Sequence, residues 1–97
     1  NQEIKQGLKP WFKMNHTVFY GLEAHYWYFY TDSKLMYNPG FWMLQNEKVA
    51  LGKAVDAVKI DKDAVLVDFT YSDKDYLLKQ GLKLVADGDK FRVYKRE

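Results

Sequence analysis

The sequence predicts a mainly β domain, α+β at most, built as a curled antiparallel sheet or a small pseudo-barrel with one short helix. Two observations lead to this prediction. Strong turn sequences, Asn38-Pro39-Gly40 and Asp87-Gly88, bound short runs in which apolar and polar side chains alternate. The segment Ala64 to Tyr71 also has the β-branched and aromatic content of a buried strand. We therefore expect about six to eight short strands curled toward a barrel.

The length and composition indicate one domain. The 97 residues, 47% of them hydrophobic, suffice for a single β-rich domain over residues 1–97, with a polar and less ordered lead-in at 1–10. The absence of cysteine excludes disulfides and thiolate metal sites and is compatible with a cytoplasmic location, which we expect. Removal of an upstream segment is left open, because Asn1 is not an initiator methionine. No apolar run approaches the roughly 18 residues needed to cross a bilayer, so we expect no membrane partner.

The first half of the chain contains four predicted strands: His16 to Tyr20, Tyr26 to Thr31, Leu35 to Tyr37 and Phe41 to Leu44. Successive side chains of a strand point to opposite faces. We assign Trp27 and Phe29 to the core, because these rings lose more by exposure than tyrosine rings do. The opposite face then displays a row of tyrosines: Tyr28, Tyr30 and Tyr37.

Residues 47–60 fit two structures. Four apolar residues fit a helical face moderately well: Val49, Leu51, Val55 and Val58. Gly52 lowers the helix propensity, however, and the valine-rich end favours a strand. We favour a strand from Ala54 to Ile60 and keep the helix as the alternative.

Residues 64–81 are predicted to form a buried strand followed by the one helix. The strand covers Ala64 to Tyr71 and directs Val65, Val67 and Phe69 to one side. The helix covers Asp73 to Gln80, with Ser72 as the capping residue, Asp75 reinforcing the cap and Gly81 ending it.

The last 16 residues predict a hairpin whose register can be worked out. If Asp87-Gly88 is a two-residue loop, Lys83 lies opposite Arg92 and Leu84 lies opposite Phe91. One side of the hairpin is then apolar and belongs to the core: Leu82, Leu84, Phe91 and Val93. The other side is basic, with one aromatic residue: Lys83, Lys90, Arg92, Tyr94 and Arg96.

This basic side predicts a binding surface for nucleic acid. The net charge of +2 is slight, so the prediction depends on where the cations lie rather than on their total. Lys83 opposite Arg92 would be a destabilising pair of like charges, which a phosphate would relieve, and the ring of Tyr94 could stack on a base. We expect a non-enzymatic regulator that binds single-stranded nucleic acid, RNA in preference, through these five residues. The competing interpretation is a solvated edge whose charges discourage edge-to-edge pairing.

Two other kinds of partner remain open. The tyrosine face of Tyr28, Tyr30 and Tyr37 would suit a protein partner or a dimer contact, because exposed aromatic patches often mark interfaces. Carbohydrate binding by the aromatic residues is the third possibility. In architecture alone, the predicted domain resembles the compact RNA-binding pseudo-barrels of the PUA type.

Catalysis is not predicted. Ser33 and Ser72 lie in turn or cap contexts that explain them without chemistry. The two histidines, His16 and His25, are not spaced as a helical metal pair. We therefore predict no catalytic residue, no metal site and no cofactor.

Overall fold

The computed structural model describes residues 16–21, 34–37 and 47–97, with the backbone alone at 34–37 and 47–50. In chain order the described elements are β1 His16–Tyr20, β2 Lys34–Tyr37, α1 Glu47–Lys59, β3 Ala64–Asp68, α2 Lys74–Lys79, β4 Leu82–Asp87 and β5 Arg92–Arg96. Strand residues outnumber helical residues, which confirms the prediction of a mainly β domain. Two helices, rather than the one predicted, lie within these ranges.

The five described strands form an open, mixed sheet in the order β2-β1-β3-β5-β4. β1 runs parallel to both of its neighbours, while β5 runs antiparallel to β3 and β4. In chain order α1 lies between β2 and β3, which run in the same direction, as expected where a helix lies between parallel strands. The sheet is therefore neither wholly antiparallel nor closed into the predicted pseudo-barrel.

The strand predicted from Ala54 to Ile60 is wrong, because residues 54–59 belong to helix α1. Buried and partly buried residues recur along α1 at helical spacing: Leu51, Ala54, Val55 and Val58. The intervening Lys53 and Asp56 are exposed. Burial of this stripe against the sheet outweighs the strand preference of valine and the low helix propensity of Gly52.

The core has a part on each face of the sheet. The face against α1, called the helix face below, carries a buried cluster from four strands: Val18, Tyr20, Leu66, Leu82 and Tyr94. The opposite face, called the second face, carries Phe19, Val65, Val67 and Val93, with the ring of Phe91 packed against them. Phe69 stacks on Phe19 at 6.3 Å between ring centroids, so the predicted common side of Val65, Val67 and Phe69 is confirmed.

The hairpin of β4 and β5 has a different register from the predicted one. Its connection is four residues long, 88–91, and is closed by a hydrogen bond of 2.9 Å from the Gly88 amide to the Phe91 carbonyl. A bulge interrupts β4 between Leu84 and Ala86. As a result Lys83 pairs with Lys95 rather than with Arg92. The predicted burial of Leu82, Phe91 and Val93 is confirmed, whereas Leu84 is only partly buried. The predicted common side is wrong, because Leu82 and Leu84 belong to the helix face, and Phe91 and Val93 belong to the second face.

Helix α2 confirms the helix predicted between Asp73 and Gln80, with a different cap. The carboxylate of Asp73 accepts hydrogen bonds from the amides of Asp75 and Tyr76, at 3.0 and 3.4 Å. Ser72 was predicted to cap this helix, but its hydroxyl is hydrogen-bonded to the Thr70 hydroxyl instead, at 2.7 Å. An aspartate one position nearer the helix can reach the first free amides, which explains the shift.

Several predictions lie outside the described residues. These are the lead-in at 1–10, the strands Tyr26 to Thr31 and Phe41 to Leu44, and the core assignment of Trp27 and Phe29. The predicted strands His16 to Tyr20 and Leu35 to Tyr37 correspond to β1 and β2.

Candidate nucleic-acid interface

The five residues predicted to bind nucleic acid do not share one surface. Arg92, Tyr94 and Arg96 alternate along β5 and belong to the helix face. Lys95 lies between Tyr94 and Arg96 along β5 and therefore belongs to the second face. Lys83 pairs directly with Lys95, so it belongs to the second face as well. The prediction placed Lys83 with the arginines because it did not include the bulge in β4, which shifts the pairing by one residue and so changes the face.

Tyr94 is part of the core and is not the exposed stacking ring that the sequence predicted. Its side chain has no solvent exposure and packs in the cluster that contains Leu66 and Leu82. Its hydroxyl is buried and finds no hydrogen-bond partner among the described residues. Burial raises the pKa of the Tyr94 phenol, and the nearby charge of Asp68 raises it further. Tyr94 therefore stays neutral and cannot contact a ligand in this conformation.

Lys83 and Lys95 form a cross-strand pair of like charges on the second face. Lys83 is exposed and Lys95 is partly buried. Neither ammonium group takes part in an ion pair within the described part of the chain. Like charges directly opposite one another destabilise a sheet, so the pair is a place where an anion would be favourable. The sequence predicted such a pair but missed Lys95, because the bulge in β4 could not be foreseen.

Arg92 lies at the other end of the hairpin and is held by two contacts. Its Nε donates a hydrogen bond of 3.1 Å to Oδ1 of Asp87, which raises the pKa of the guanidinium. The guanidinium carbon also lies 4.7 Å from the centroid of the Tyr71 ring. This is a cation–π contact, and it brings an exposed ring to the arginine in place of Tyr94.

Tyr71 was missed by the sequence prediction, which placed it at the end of a strand. The residue is 38% exposed, and its hydroxyl donates a hydrogen bond to the Gly88 carbonyl. Desolvation raises the pKa of the Tyr71 phenol, and the charge of Asp87 acts in the same direction. Its backbone has a φ of 52°, in the left-handed region that residues other than glycine rarely adopt. Tyr71 is therefore both anchored and conformationally unusual.

The buried carboxylate of Asp68 shapes the loop that carries Tyr71. It accepts hydrogen bonds from the amides of Thr70 and Ser72, both at 2.9 Å, and from the Thr70 hydroxyl at 2.8 Å. These bonds turn the chain away from the sheet, so β3 ends at Asp68 and not at Tyr71 as predicted. An aspartate followed by hydroxyl residues two and four positions later is a pattern that would have predicted this turn.

The remaining two predicted residues lie apart from each other. Lys90 is exposed in the connection 88–91, at the same end of the hairpin as Arg92. Arg96 lies at the opposite end, where its Nη1 donates a hydrogen bond of 3.1 Å to the carbonyl of Lys59. This carbonyl belongs to the last residue of α1, and a carbonyl at that position has no hydrogen-bond partner within its own helix. Arg96 therefore has a structural role at the end of α1.

The alternative tyrosine surface cannot be assembled from the described residues. Tyr28 and Tyr30 lie outside them, and Tyr37 is described only as part of the β2 backbone.

A second polar contact lies near the start of β1. Nδ1 of His16 is hydrogen-bonded to Oδ2 of Asp61, in the connection between α1 and β3. The pKa of Asp61 is lowered, chiefly by the hydrogen bond that its carboxylate accepts from the Asp63 amide and further by His16. The contact links the start of β1 to the connection between α1 and β3. No group of three potential metal ligands occurs in the described ranges.

Comparison of the chain with protein-family models, curated proteins and solved structures found no match. Neither α1 nor α2 is long and apolar enough to span a membrane, and no other helix is described.

Proposed function

We propose that the protein is a non-enzymatic regulator that binds single-stranded nucleic acid, RNA in preference, through the hairpin of β4 and β5. The observation that carries the proposal is the uncompensated pair of Lys83 and Lys95. A reducing cytoplasm, with which the cysteine-free sequence is compatible, is the location we assign to it.

A backbone phosphate suits this pair for an electrostatic reason. The two ammonium groups repel each other, which destabilises the sheet. A phosphate between them would replace that repulsion by two attractive contacts. The exposed position of Lys83 leaves its ammonium accessible, while Lys95 is partly buried.

The position of the pair favours a flexible ligand. Lys83 lies on β4, the outermost strand of the described sheet, and Lys90 lies in the exposed connection beyond it. A single strand can bend around this edge and contact Lys83 and Lys90 together. A duplex is too stiff to do so, because its persistence length is about 150 base pairs.

The geometry changes the set of residues assigned to the site. We assign phosphate contacts to Lys83, Lys95 and Lys90. Arg92 has its charge balanced by Asp87, and Arg96 is engaged at the end of α1, so we give neither a main role in phosphate binding. Tyr94 leaves the set because it is buried.

The first prediction tests the lysine pair through the effect of salt on affinity. The double variant Lys83→Ala with Lys95→Ala should bind a fluorescein-labelled oligouridylate more weakly than the parent, as measured by fluorescence anisotropy. Each phosphate contact contributes a slope of about 0.7 to the logarithmic dependence of affinity on salt, so the slope should fall by about 1.4. Both side chains lie at the surface, so the fold should persist.

The matched control is the double variant Lys74→Ala with Lys79→Ala, which removes the same charge from exposed positions of α2. Equal losses in the two variants would mean that only net charge matters. If the parent has no affinity for the oligomer at low salt, the proposal should be abandoned in favour of a protein partner at the predicted tyrosine face, which Tyr28→Ser with Tyr37→Ser would then disrupt.

A further inference from the structure

We infer that Tyr71 and Arg92 form a stacking site for a planar nucleobase, separate from the lysine pair. That the biological ligand is a nucleic acid rests on the proposed function. That the site can stack a planar group follows from the contacts of the two side chains. Arg92 belongs to the helix face, whereas Lys83 and Lys95 belong to the second face, so the two sites contact different parts of a ligand.

The ring of Tyr71 is held in place before any ligand arrives. Its hydroxyl is bonded to the Gly88 carbonyl, and its backbone is set by the loop that the buried Asp68 organises. A residue that is 38% exposed and fixed at both ends loses little conformational freedom on binding. Such a ring is a suitable platform for a base, because bases stack on tyrosine without requiring a particular sequence.

The backbone of Tyr71 indicates that its placement has a cost. A non-glycine residue at a φ of 52° is strained relative to one in the ordinary backbone regions. Asparagine or glycine would adopt this conformation more readily. Conformations of this kind cluster at binding sites, where a side chain is needed in one particular place.

Arg92 extends the platform and determines what it accepts. Its guanidinium is planar, lies over the Tyr71 ring and is hydrogen-bonded to Asp87. Bases stack on arginine planes as well as on aromatic rings. Because Asp87 balances the positive charge, this end attracts phosphate weakly, and an uncharged planar base is the group that fits.

A titration with adenosine, which has no phosphate, tests the site independently of the lysine pair. Nuclear magnetic resonance of the protein should show upfield shifts of the Tyr71 ring protons at millimolar adenosine, caused by the ring current of the stacked base. The shifts should persist in Lys83→Ala with Lys95→Ala. They should also be seen for the phenylalanine ring of the Tyr71→Phe variant, which keeps the platform without the hydroxyl.

Oligomer binding provides the second readout. Tyr71→Asn removes the ring and suits the left-handed backbone, so the variant should fold. Its affinity for oligouridylate should fall by about 5- to 150-fold, which corresponds to the 1–3 kcal/mol of one stacked base. Its affinity for an abasic oligomer of equal length should not change. Tyr76→Ala is the matched control, because Tyr76 is 37% exposed and has no described contact with Arg92.

The outcomes separate this inference from the proposed function. Adenosine shifts at Tyr71 without any oligomer binding would retain the stacking site and overturn the nucleic-acid function. Oligomer binding with no adenosine shifts and no loss in Tyr71→Asn would retain that function and overturn the stacking site.

Discussion

Two core hydroxyl groups contrast with the carboxylate of Asp68. Asp68 is fully buried and accepts several hydrogen bonds from its own loop. Oγ1 of Thr17 and the hydroxyl of Tyr94 are also buried, but neither has a hydrogen-bond partner in the described part of the chain. A buried polar group without a partner costs about 1–3 kcal/mol. The Asp68 network therefore stabilises the loop of Tyr71, while these two hydroxyls reduce the stability of the core.

Thr17→Val should stabilise the protein. The substitution keeps a β-branched side chain of nearly the same shape in β1 and replaces the unpartnered hydroxyl by a methyl group. We expect the free energy of unfolding in urea to rise by about 1 kcal/mol. Thr17→Ala is the control, since it removes the hydroxyl and a methyl group together and should be less stable than Thr17→Val because of the cavity. A loss of stability in Thr17→Val would show that the hydroxyl has a partner.

At the level of elements, one glycine lies within helix α1 and another directly follows strand β1, and the two differ in whether a side chain could replace them. Gly52 lies in the middle of α1, and a Cβ placed there would meet no described atom within 4 Å. Gly21 follows β1 with a φ of 135°, and a Cβ there would lie 3.0 Å from the Cβ of Phe69. The first glycine weakens its element, whereas the second permits the close approach of two chain segments.

Gly52→Ala and Gly21→Ala should therefore change stability in opposite directions. Alanine at Gly52 should raise the free energy of unfolding by about 0.5–1 kcal/mol, because it is the better helix former and fits the available space. Alanine at Gly21 should lower it by more than about 1 kcal/mol, because the backbone angle and the contact with Phe69 both oppose a side chain. Thermal unfolding followed by circular dichroism measures both. Equal effects of the two substitutions would contradict the helical assignment of α1.

At the scale of the whole molecule, the contact of His16 with Asp61 joins residues 45 positions apart in the sequence. It connects the start of β1 to the loop that leads from α1 into β3. Asp61 also accepts the Asp63 amide at 2.8 Å, so one carboxylate shapes a turn and links two segments. The hydrogen bonds from the Asp63 amide and from His16 favour the ionised carboxylate, so the pKa of Asp61 is lowered from its ordinary value of 3.8.

The stability of the protein should therefore decrease in acid, partly through Asp61. Since the pKa is lower in the folded state, the carboxylate stabilises the fold above pH 3.8 and loses that effect as the pH falls through the folded pKa. Asp61→Asn keeps an acceptor oxygen for the Asp63 amide but cannot titrate. Urea unfolding at a series of pH values should give a shallower acid decline for this variant than for the parent. Asp63→Asn, at an exposed position of the same loop, is the comparison, and identical acid declines in the parent and Asp61→Asn would rule out the role of Asp61.

Sequence patterns that act locally predicted their elements correctly. Alternation identified β1 and the common side of Val65 and Val67, and the capping pattern located α2 to within one residue of its cap. The burial of Phe91 and Val93 was also predictable, although the register was not, because large apolar side chains seek the core in either pairing. These predictions depend on neighbours in the chain, which the sequence contains.

Tertiary structure decided the features that depend on distant partners. Residues 54–59 became helical only because a sheet surface was present to bury Val55 and Val58, and their intrinsic preference was too small to decide between helix and strand. The four-residue connection and the bulge in β4 together moved Lys83 from Arg92 to Lys95. Tyr94 is in the core because the face of the sheet that it shares with Leu66 is covered by α1. Because a side chain changes face with every one-residue shift of register, local sequence determined which residues alternate, and only long-range packing decided which of them meet at the site.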